Sequence, residues 1–221
     1  MLTQIYEVST AAEAAAVSAL GIDHVGVLVG DGSFPREQSP AAAMEIGAAI
    51  AGGAKLSALF LSPDVAYIAR IARALRPDIV HLGAAPELLG PEHVRDLRRL
   101  SPDPLIMRSV PVTGPESIAV ARSYGGLVDF LLLDSHRPHD RQIGALGITH
   151  DWNISRRIVE EVGTRVILAG GLGPDNVAEA IRAVRPAGVD SKTKTDIAAT
   201  HVKDLEKVRQ FHLAAKAAAR G

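Results

Sequence analysis

Two lysines follow the last apolar run of the chain, in residues 188–196, which read GVDSKTKTD. Lys192 and Lys194 alternate there with hydroxyl residues, at a place where parallel α/β proteins usually carry ligand-binding loops. A lysine ammonium can bind a phosphate or a carboxylate, and a neutral lysine amine can form a Schiff base with a carbonyl substrate. Exposed loop lysines without a function are the alternative. We expect only one of the two to point into a site.

A pair of glycines follows the preceding apolar run, in LAGGLGPDNVAEAI, residues 168–181. Gly170 and Gly171 stand just before a predicted helix start. Glycine lets backbone N–H groups approach an anion closely, and a helix N-terminus adds a favourable dipole. An unliganded tight turn is the alternative. Together with Thr193 of the lysine segment, these glycines are predicted to bind a phosphate group.

Short apolar runs recur along the chain and predict strands that would position these residues. Their continuous rather than alternating hydrophobicity is typical of strands buried on both faces of a parallel sheet. The runs are LTQIYEV, DHVGVLV, LSALFL, DIVHL, PLIMRSV, LVDFLLL, RVILAG and AGVDS. Asp134 directly follows the sixth run and is a candidate functional carboxylate, with a simple loop cap as the alternative.

Helix start signals separate these runs. Ser9 or Thr10 can cap the first helix, and proline then recurs after serine or glycine at Ser39-Pro40, Ser62-Pro63, Gly90-Pro91, Gly114-Pro115 and Gly173-Pro174. A βα unit of roughly 25 residues, repeated, indicates a closed barrel rather than an open sheet. We therefore predict an α/β protein, a single-domain (β/α)8 TIM barrel over residues 1–221.

Composition narrows the possible partners. The 221 residues include no cysteine and carry a formal net charge of -1, which excludes disulfides and a thiol nucleophile and gives no field that recruits nucleic acid. No apolar run reaches the ~20 residues that span a bilayer, and the N-terminus lacks a secretory signal pattern. We expect a cytoplasmic monomer or homodimer that binds neither nucleic acid nor membrane. His136, His139 and Asp140 fit no established metal motif, so no metal or cofactor is predicted.

Several segments resemble the phosphoribosylanthranilate isomerase family of barrel enzymes, in order along most of the chain. The most specific part is LAGGLGPDNVAEAIRAVRPAGVD, residues 168–190, followed by VKDLEKVRQF, residues 202–211. SFPREQSPAAAMEI, FLLLDS and IGALGITHDW are similar to the segment before the second helix, to the end of strand six and to the loop after it. The resemblance implies a barrel that catalyses an Amadori rearrangement of a phosphorylated ribosyl amine in tryptophan biosynthesis.

The resemblance also implies roles for individual residues. Asp134 matches the general acid, Arg36 the arginine that recognises the anthranilate carboxylate, Asp190 the aspartate that meets the sugar hydroxyls, and Gly170 and Gly171 the phosphate-binding glycines. Arg36 as a solvated loop arginine, and Asp190 as a loop cap, are the alternatives.

The chain departs from the family pattern at the general base. The family's Lys-Ile-Cys-Gly motif reads Gln4-Ile5-Tyr6-Glu7 here, so tyrosine replaces the catalytic cysteine. A tyrosine with an ordinary pKa near 10 is a poor base at neutral pH, and Glu7 is the predicted replacement. Adjacent residues of a regular strand point to opposite faces, so Tyr6 and Glu7 cannot both face inward without a bulge.

Two loops depart as well. Gly144-Ala145-Leu146-Gly147 loses the family's threonine, and Ser191-Lys192-Thr193-Lys194 replaces small residues after strand eight.

The predicted function is a phosphoribosylanthranilate isomerase-like enzyme with a phosphorylated small-molecule substrate. The alternatives are an isomerase, epimerase or lysine-dependent aldolase acting on another phosphorylated sugar or carboxylate, and a barrel that only binds a phosphorylated metabolite.

Overall fold

Eight parallel strands form a closed barrel in the computed structural model, which describes residues 1–135 and 149–220. The strands are β1 (Leu2–Ile5), β2 (His24–Leu28), β3 (Lys55–Phe60), β4 (Ile79–Leu82), β5 (Leu105–Pro111), β6 (Phe130–Asp134), β7 (Arg165–Leu168) and β8 (Gly188–Ser191). Each lies inside one of the apolar runs, or within one residue of it. The predicted TIM barrel is confirmed.

The helices alternate with the strands and cover the outside of the barrel. They are α1 (Ala11–Ala19), α2 (Pro40–Ala48), α3 (Val65–Leu75), α4 (Pro91–Leu100), α5 (Ser117–Ser123), α6 (Trp152–Glu161), α7 (Val177–Val184) and α8 (Leu205–Ala218). Among the described residues, no helix combines the length and the apolarity that crossing a membrane requires.

Three helices begin later than the Ser/Gly-Pro steps predict. α3 begins at Val65 rather than next to Pro63, because the Asp64 side chain accepts a hydrogen bond from the Tyr67 N–H and so becomes the N-cap. α5 and α7 likewise begin after a short turn that follows the proline. The steps before α2 and α4, and the cap at Thr10, are confirmed.

Strand alternation divides the core into two parts. Outward-facing residues pack against the helices, whereas a smaller cluster, including Ile79, Met107, Phe130 and Ile167, fills the barrel interior. The same alternation turns polar residues inward near the carboxyl ends of the strands. β1 closes the barrel against β8, with Gln4 paired in register with Asp190. The inward polar residues therefore collect at the end where barrel enzymes carry their sites.

Candidate active site

Two adjoining pockets open at the carboxyl ends of the strands. The central pocket is lined by apolar side chains, including Leu28, Leu59 and Leu132, and by polar groups that lie in β4, β5, β6 and β8 or just after β1 and β8. The glycine pocket lies between the loops that follow β7 and β8. Asp134, Asp190 and Lys192 line both pockets. A ligand that occupied both pockets would therefore pass these three ionisable groups.

The glycine pocket has a backbone that only glycine adopts readily. Gly170 and Gly171 have φ values of 84° and 61°, in the left-handed region. The Asn176 side chain fixes the loop, since its Nδ2 donates to the Gly171 carbonyl at 3.0 Å and its Oδ1 accepts from the Gly173 N–H at 2.8 Å. The Ser191 hydroxyl of β8 donates to the Leu172 carbonyl at 2.7 Å. The two loops are thereby held in fixed relation around the pocket.

Both lysines of the β8 loop line this pocket, which differs from the expectation that only one faces the site. The reason is that β8 ends at Ser191 and a 3-10 turn, Thr193–Thr195, follows, so the alternation of a strand no longer applies. Thr193 lines the pocket as well, and Lys194 packs close to Gly173.

Lys192 is also held in an ion-pair chain at the mouth. Its Nζ lies 3.2 Å from Glu7 Oε2, 3.5 Å from Asp196 Oδ2 and 3.1 Å from His201 Nδ1. Asp196 in turn accepts a hydrogen bond of 2.5 Å from the buried Lys203 Nζ. Neither Asp196 nor Lys203 stood out in the sequence, because a charged pair near a loop normally indicates a solvated surface.

Glu7 and Arg36 form a two-point ion pair beside the central pocket. Arg36 donates from Nε and Nη2 to the two oxygens of the Glu7 carboxylate at 2.5 and 3.0 Å. Both residues have left-handed backbone, with φ values of 57° and 68°, an uncommon conformation for residues other than glycine. Burial acts to raise the pKa of Glu7, but the Arg36 hydrogen bond and the Lys192 charge outweigh it and lower that pKa. The carboxylate is therefore a weak base in this arrangement.

Tyr6 and Glu7 both line the central pocket. Strand β1 ends at Ile5, and the left-handed backbone of Glu7 redirects its side chain, so strand alternation does not keep the two apart. The Tyr6 ring lies directly over Gly26 of β2, where any added Cβ would overlap the ring. Glycine at that position makes room for tyrosine in place of the smaller cysteine of the family motif.

The Tyr6 hydroxyl belongs to a buried hydrogen-bond chain across the barrel. It lies 2.7 Å from Ser57 Oγ and 2.5 Å from His81 Nδ1, while His81 Nε2 lies 2.7 Å from Ser109 Oγ. Burial raises the pKa of Tyr6 well above its usual value and lowers the pKa of His81 to about 3. Phenol and imidazole are both neutral near pH 7. Strand alternation could have indicated this chain from the sequence, because it turns Ser57, His81 and Ser109 inward from β3, β4 and β5.

Asp190 is the most deeply buried carboxyl that the two pockets share. Its residue is 7% exposed, and Gln4 Nε2 donates to its Oδ1 at 3.2 Å. Burial and the nearby Asp134 charge raise the pKa of Asp190 to about 8. Asp134, half-buried at the end of β6, accepts a hydrogen bond of 2.7 Å from the Ser135 N–H. The structure thus brings together the two aspartates that the sequence singled out.

Some predicted features fall on residues that the structure does not describe. His136, His139, Asp140 and the segment Gly144-Ala145-Leu146-Gly147 lie outside the described residues. His150, which does lie within them, is partly buried and hydrogen-bonds through Nε2 to Ser155 Oγ at 2.7 Å. This contact joins the start of α6 to the preceding segment.

Comparison with known proteins relates this geometry to one family. Residues 3–213 match the family model described as N-(5'-phosphoribosyl)anthranilate (PRA) isomerase. The N-(5'-phosphoribosyl)anthranilate isomerase of Haloferax volcanii is 38% identical over 205 residues, which cover 92% of this chain and 88% of that protein.

Solved structures agree with this match. The phosphoribosyl anthranilate isomerase of Thermus thermophilus has a TM-score of 0.80 and 26% identity, covering 98% of this chain and 99% of that one. A phosphoribosyl anthranilate isomerase in complex with reduced 1-(o-carboxyphenylamino)-1-deoxyribulose 5-phosphate has a TM-score of 0.79 and 23% identity, covering 98% and 100% of the two chains.

Proposed function

Because the chain belongs to the N-(5'-phosphoribosyl)anthranilate isomerase family, we propose that it converts phosphoribosylanthranilate to the corresponding aminoketose in tryptophan biosynthesis. The observation that carries this assignment to the site is the junction of the two pockets. The glycine pocket suits a phosphate, the apolar central pocket suits an aromatic ring, and the ribose between them passes Asp134, Asp190 and Lys192. A phosphorylated N-aryl ribosylamine has these three parts in this order.

The reaction needs an acid that protonates the ring oxygen and a base that takes the proton from the sugar C2. Asp134 is the proposed acid, because it stands at the end of β6 beside the ribose position. Glu7 remains the base that the sequence predicts, and its side chain lines the same pocket. Its ion pairs with Arg36 and Lys192 weaken that assignment.

Arg36 is the proposed partner of the anthranilate carboxylate. A guanidinium has five N–H donors in a planar fork, and Glu7 takes one each from Nε and Nη2. The remaining donors suit a second carboxylate, so the substrate need not displace Glu7. In this role Glu7 also holds the Arg36 fork at the pocket mouth.

The phosphate is proposed to bind the backbone N–H groups of Gly170, Gly171 and Thr193, with Lys194 supplying a positive charge. Left-handed glycines leave the backbone open to close approach by an anion. Lys192 lines the same pocket and adds a second positive charge next to the ribose.

The function is tested with purified protein and phosphoribosylanthranilate, following the loss of anthranilate fluorescence as substrate is consumed. We expect turnover that saturates with substrate and is inhibited by reduced 1-(o-carboxyphenylamino)-1-deoxyribulose 5-phosphate, called the reduced product below. Tight binding of that compound without turnover would instead favour a barrel that only binds phosphorylated metabolites.

Replacing Lys194 by methionine is expected to raise KM about tenfold to a hundredfold with little change in kcat, because a hydrogen bond to a charged group is worth about 1.5–3 kcal/mol. The measurement is steady-state kinetics together with the affinity for inorganic phosphate. Lys55→Met is the matched control, since Lys55 begins β3 at the opposite end of the barrel. Equal effects of the two substitutions would place the phosphate elsewhere.

A further inference from the structure

The chain lacks the cysteine that the family uses as a base, so another group must take the C2 proton. Two candidates, at and next to the family's cysteine position, are poorly suited to accept this proton. The Tyr6 hydroxyl is hydrogen-bonded to Ser57 and His81 in the barrel interior. The Glu7 carboxylate is ion-paired with Arg36 and Lys192. Neither group is placed to gain a proton easily.

Asp190 is placed differently. It points into the barrel from β8, beside Gln4 of the neighbouring strand β1. The family's cysteine position, Tyr6 here, directly follows β1. It lines both the central and the glycine pocket, as Asp134 does. A ribose that joins the two pockets therefore meets both carboxyls.

We propose that Asp134 and Asp190 form a carboxyl pair that shares one proton and supplies both the acid and the base of the reaction, with Asp190 as the base. This assignment rests on the proposed isomerase function. It gives Asp190 a chemical role in place of contact with sugar hydroxyls alone, and it leaves Glu7 to hold Arg36 and Lys192.

The proton balance closes within the pair. In the reactive form of the pair the shared proton lies on Asp134, which gives it to the ring oxygen as the C1–O bond breaks, and the nitrogen lone pair forms a C1=N bond. Asp190 takes the C2 proton, the C2–H electron pair forms a C1=C2 bond, and the C1=N pair returns to nitrogen. Asp190 then delivers its proton to C1 while the C2 hydroxyl returns one to Asp134 as the ketone forms. The pair ends with one proton, as it began, and no oxidant or reductant is consumed.

The electrostatic surroundings favour one shared proton. Burial, the charge of Asp134 and, more weakly, the charge of Glu7 raise the pKa of Asp190 to about 8, against the Gln4 hydrogen bond and the charge of Lys203. Tyr6 faces the same pocket as a neutral phenol, and Lys192 is the cation at the junction. Above the upper pKa of the pair both carboxyls are ionised and the acid is lost. We therefore expect kcat/KM to fall as pH rises through about 8.

Gln4 and His24 position the base. His24 Nδ1 lies 3.0 Å from Gln4 Oε1, and Gln4 Nε2 donates to Asp190. Burial lowers the pKa of His24 to about 4, so its imidazole is neutral and adds no charge. The family motif has lysine where Gln4 stands, and a cation there would favour the ionised form of Asp190. The neutral amide leaves the pKa of Asp190 raised, so the pair as a whole keeps its one proton near neutral pH.

The kinetic experiment compares Asp190→Asn with the wild-type protein. We expect kcat to fall about 10²–10⁴-fold, the usual contribution of a positioned acid or base. Affinity for the reduced product should change less than about fivefold, because asparagine keeps the hydrogen-bonding shape and that compound needs no proton transfer. Gln4→Lys should move the alkaline limb of the pH profile to lower pH. Thermal unfolding confirms that each variant folds.

Two kinetic results would contradict the carboxyl pair, and they can be told apart. If Asp190 only binds sugar hydroxyls, Asp190→Asn raises KM and lowers the affinity for the reduced product to the same extent. In that case kcat and the pH profile stay as in the wild-type protein. If Glu7 is the base, Glu7→Gln shows the large fall in kcat that we expect for Asp190→Asn, and Asp190→Asn itself shows no such fall. Either result overturns the carboxyl pair and leaves the isomerase function standing.

A titration tests the pair without turnover. In a ¹³C NMR titration of the carboxyl groups, with Asp190 assigned through Asp190→Asn, Asp190 should titrate near pH 8 in the wild-type protein. Its pKa should fall in Asp134→Asn, because a neighbouring negative charge is removed. An Asp190 pKa that Asp134→Asn leaves unchanged overturns the pair. A coupled titration in a protein that does not turn over phosphoribosylanthranilate would refute the proposed substrate and retain the pair.

Discussion

Replacing Asp134 by asparagine is expected to lower kcat about 10²–10⁴-fold, the range for loss of a general acid. The amide has nearly the shape of the carboxyl, and its oxygen can still accept the hydrogen bond that Ser135 N–H donates at 2.7 Å. It cannot give a proton to the ring oxygen. The fold and both pockets should therefore persist while the chemical step is lost.

The measurement is steady-state turnover of phosphoribosylanthranilate together with binding of the reduced product, which should be nearly unchanged. Asp151→Asn is the matched control, because Asp151 caps α6 through the Asn153 N–H and lines neither pocket among the described residues. It should leave kcat within about twofold, since a cap exchange acts on stability. An Asp134→Asn protein with kcat within threefold of wild type would remove Asp134 from the mechanism.

Replacing Lys203 by methionine is expected to lower the free energy of unfolding by about 3–5 kcal/mol, the usual cost of breaking a buried ion pair by removing one partner. The Lys203 side chain is 0% exposed, and its Nζ lies 2.5 Å from Asp196 Oδ1, in a side chain 3% exposed. Within the described part of the chain, Asp196 would keep as its ion-pair partner the more distant Lys192, whose Nζ lies 3.5 Å away. For a chain of this size, we expect the Tm to fall by about 6–20 °C.

The check is chemical or thermal unfolding of the variant beside Lys207→Met. Lys207 contacts the same segment, with its Nζ donating to the Asp196 carbonyl at 2.8 Å, but its side chain is 39% exposed. We expect a loss below about 1 kcal/mol there, as for exposed ion pairs. The double variant Lys203→Met, Asp196→Asn should recover part of the loss, because no unpaired charge is left buried. Equal losses from the two lysine variants would show that burial of the pair is not the cause.

Both predictions concern side chains whose partners come from other strands and loops, and this separates what the sequence could predict from what it could not. Asp134 was identifiable because it ends an apolar run in a repeating βα pattern, which places it at the carboxyl end of a barrel strand. Lys203 was not, because its burial depends on the turn that brings it back to Asp196, where a short antiparallel bridge forms. A charge run before a helix looks the same in sequence whether it is solvated or buried.

The mouth of the barrel shows the same division. The pairing of Glu7 with Arg36 joins residues 29 apart in the chain, and that of Gln4 with Asp190 joins residues 186 apart. Strand alternation predicted that Tyr6 and Glu7 could not both face inward without a bulge. The left-handed backbone of Glu7, outside the regular strand, brings both to the central pocket.

The sequence by itself determined the eight strands, their parallel order and the two left-handed glycines that follow β7. These features follow from hydrophobic runs, helix starts and the left-handed backbone of glycine, all of which act within a few residues. Only the tertiary structure decided that Glu7 is tied to two cations while Asp190 lies buried near a second carboxyl. Charge and desolvation act through space, so the proton affinity of a carboxyl depends on neighbours that the chain brings together only when the barrel closes.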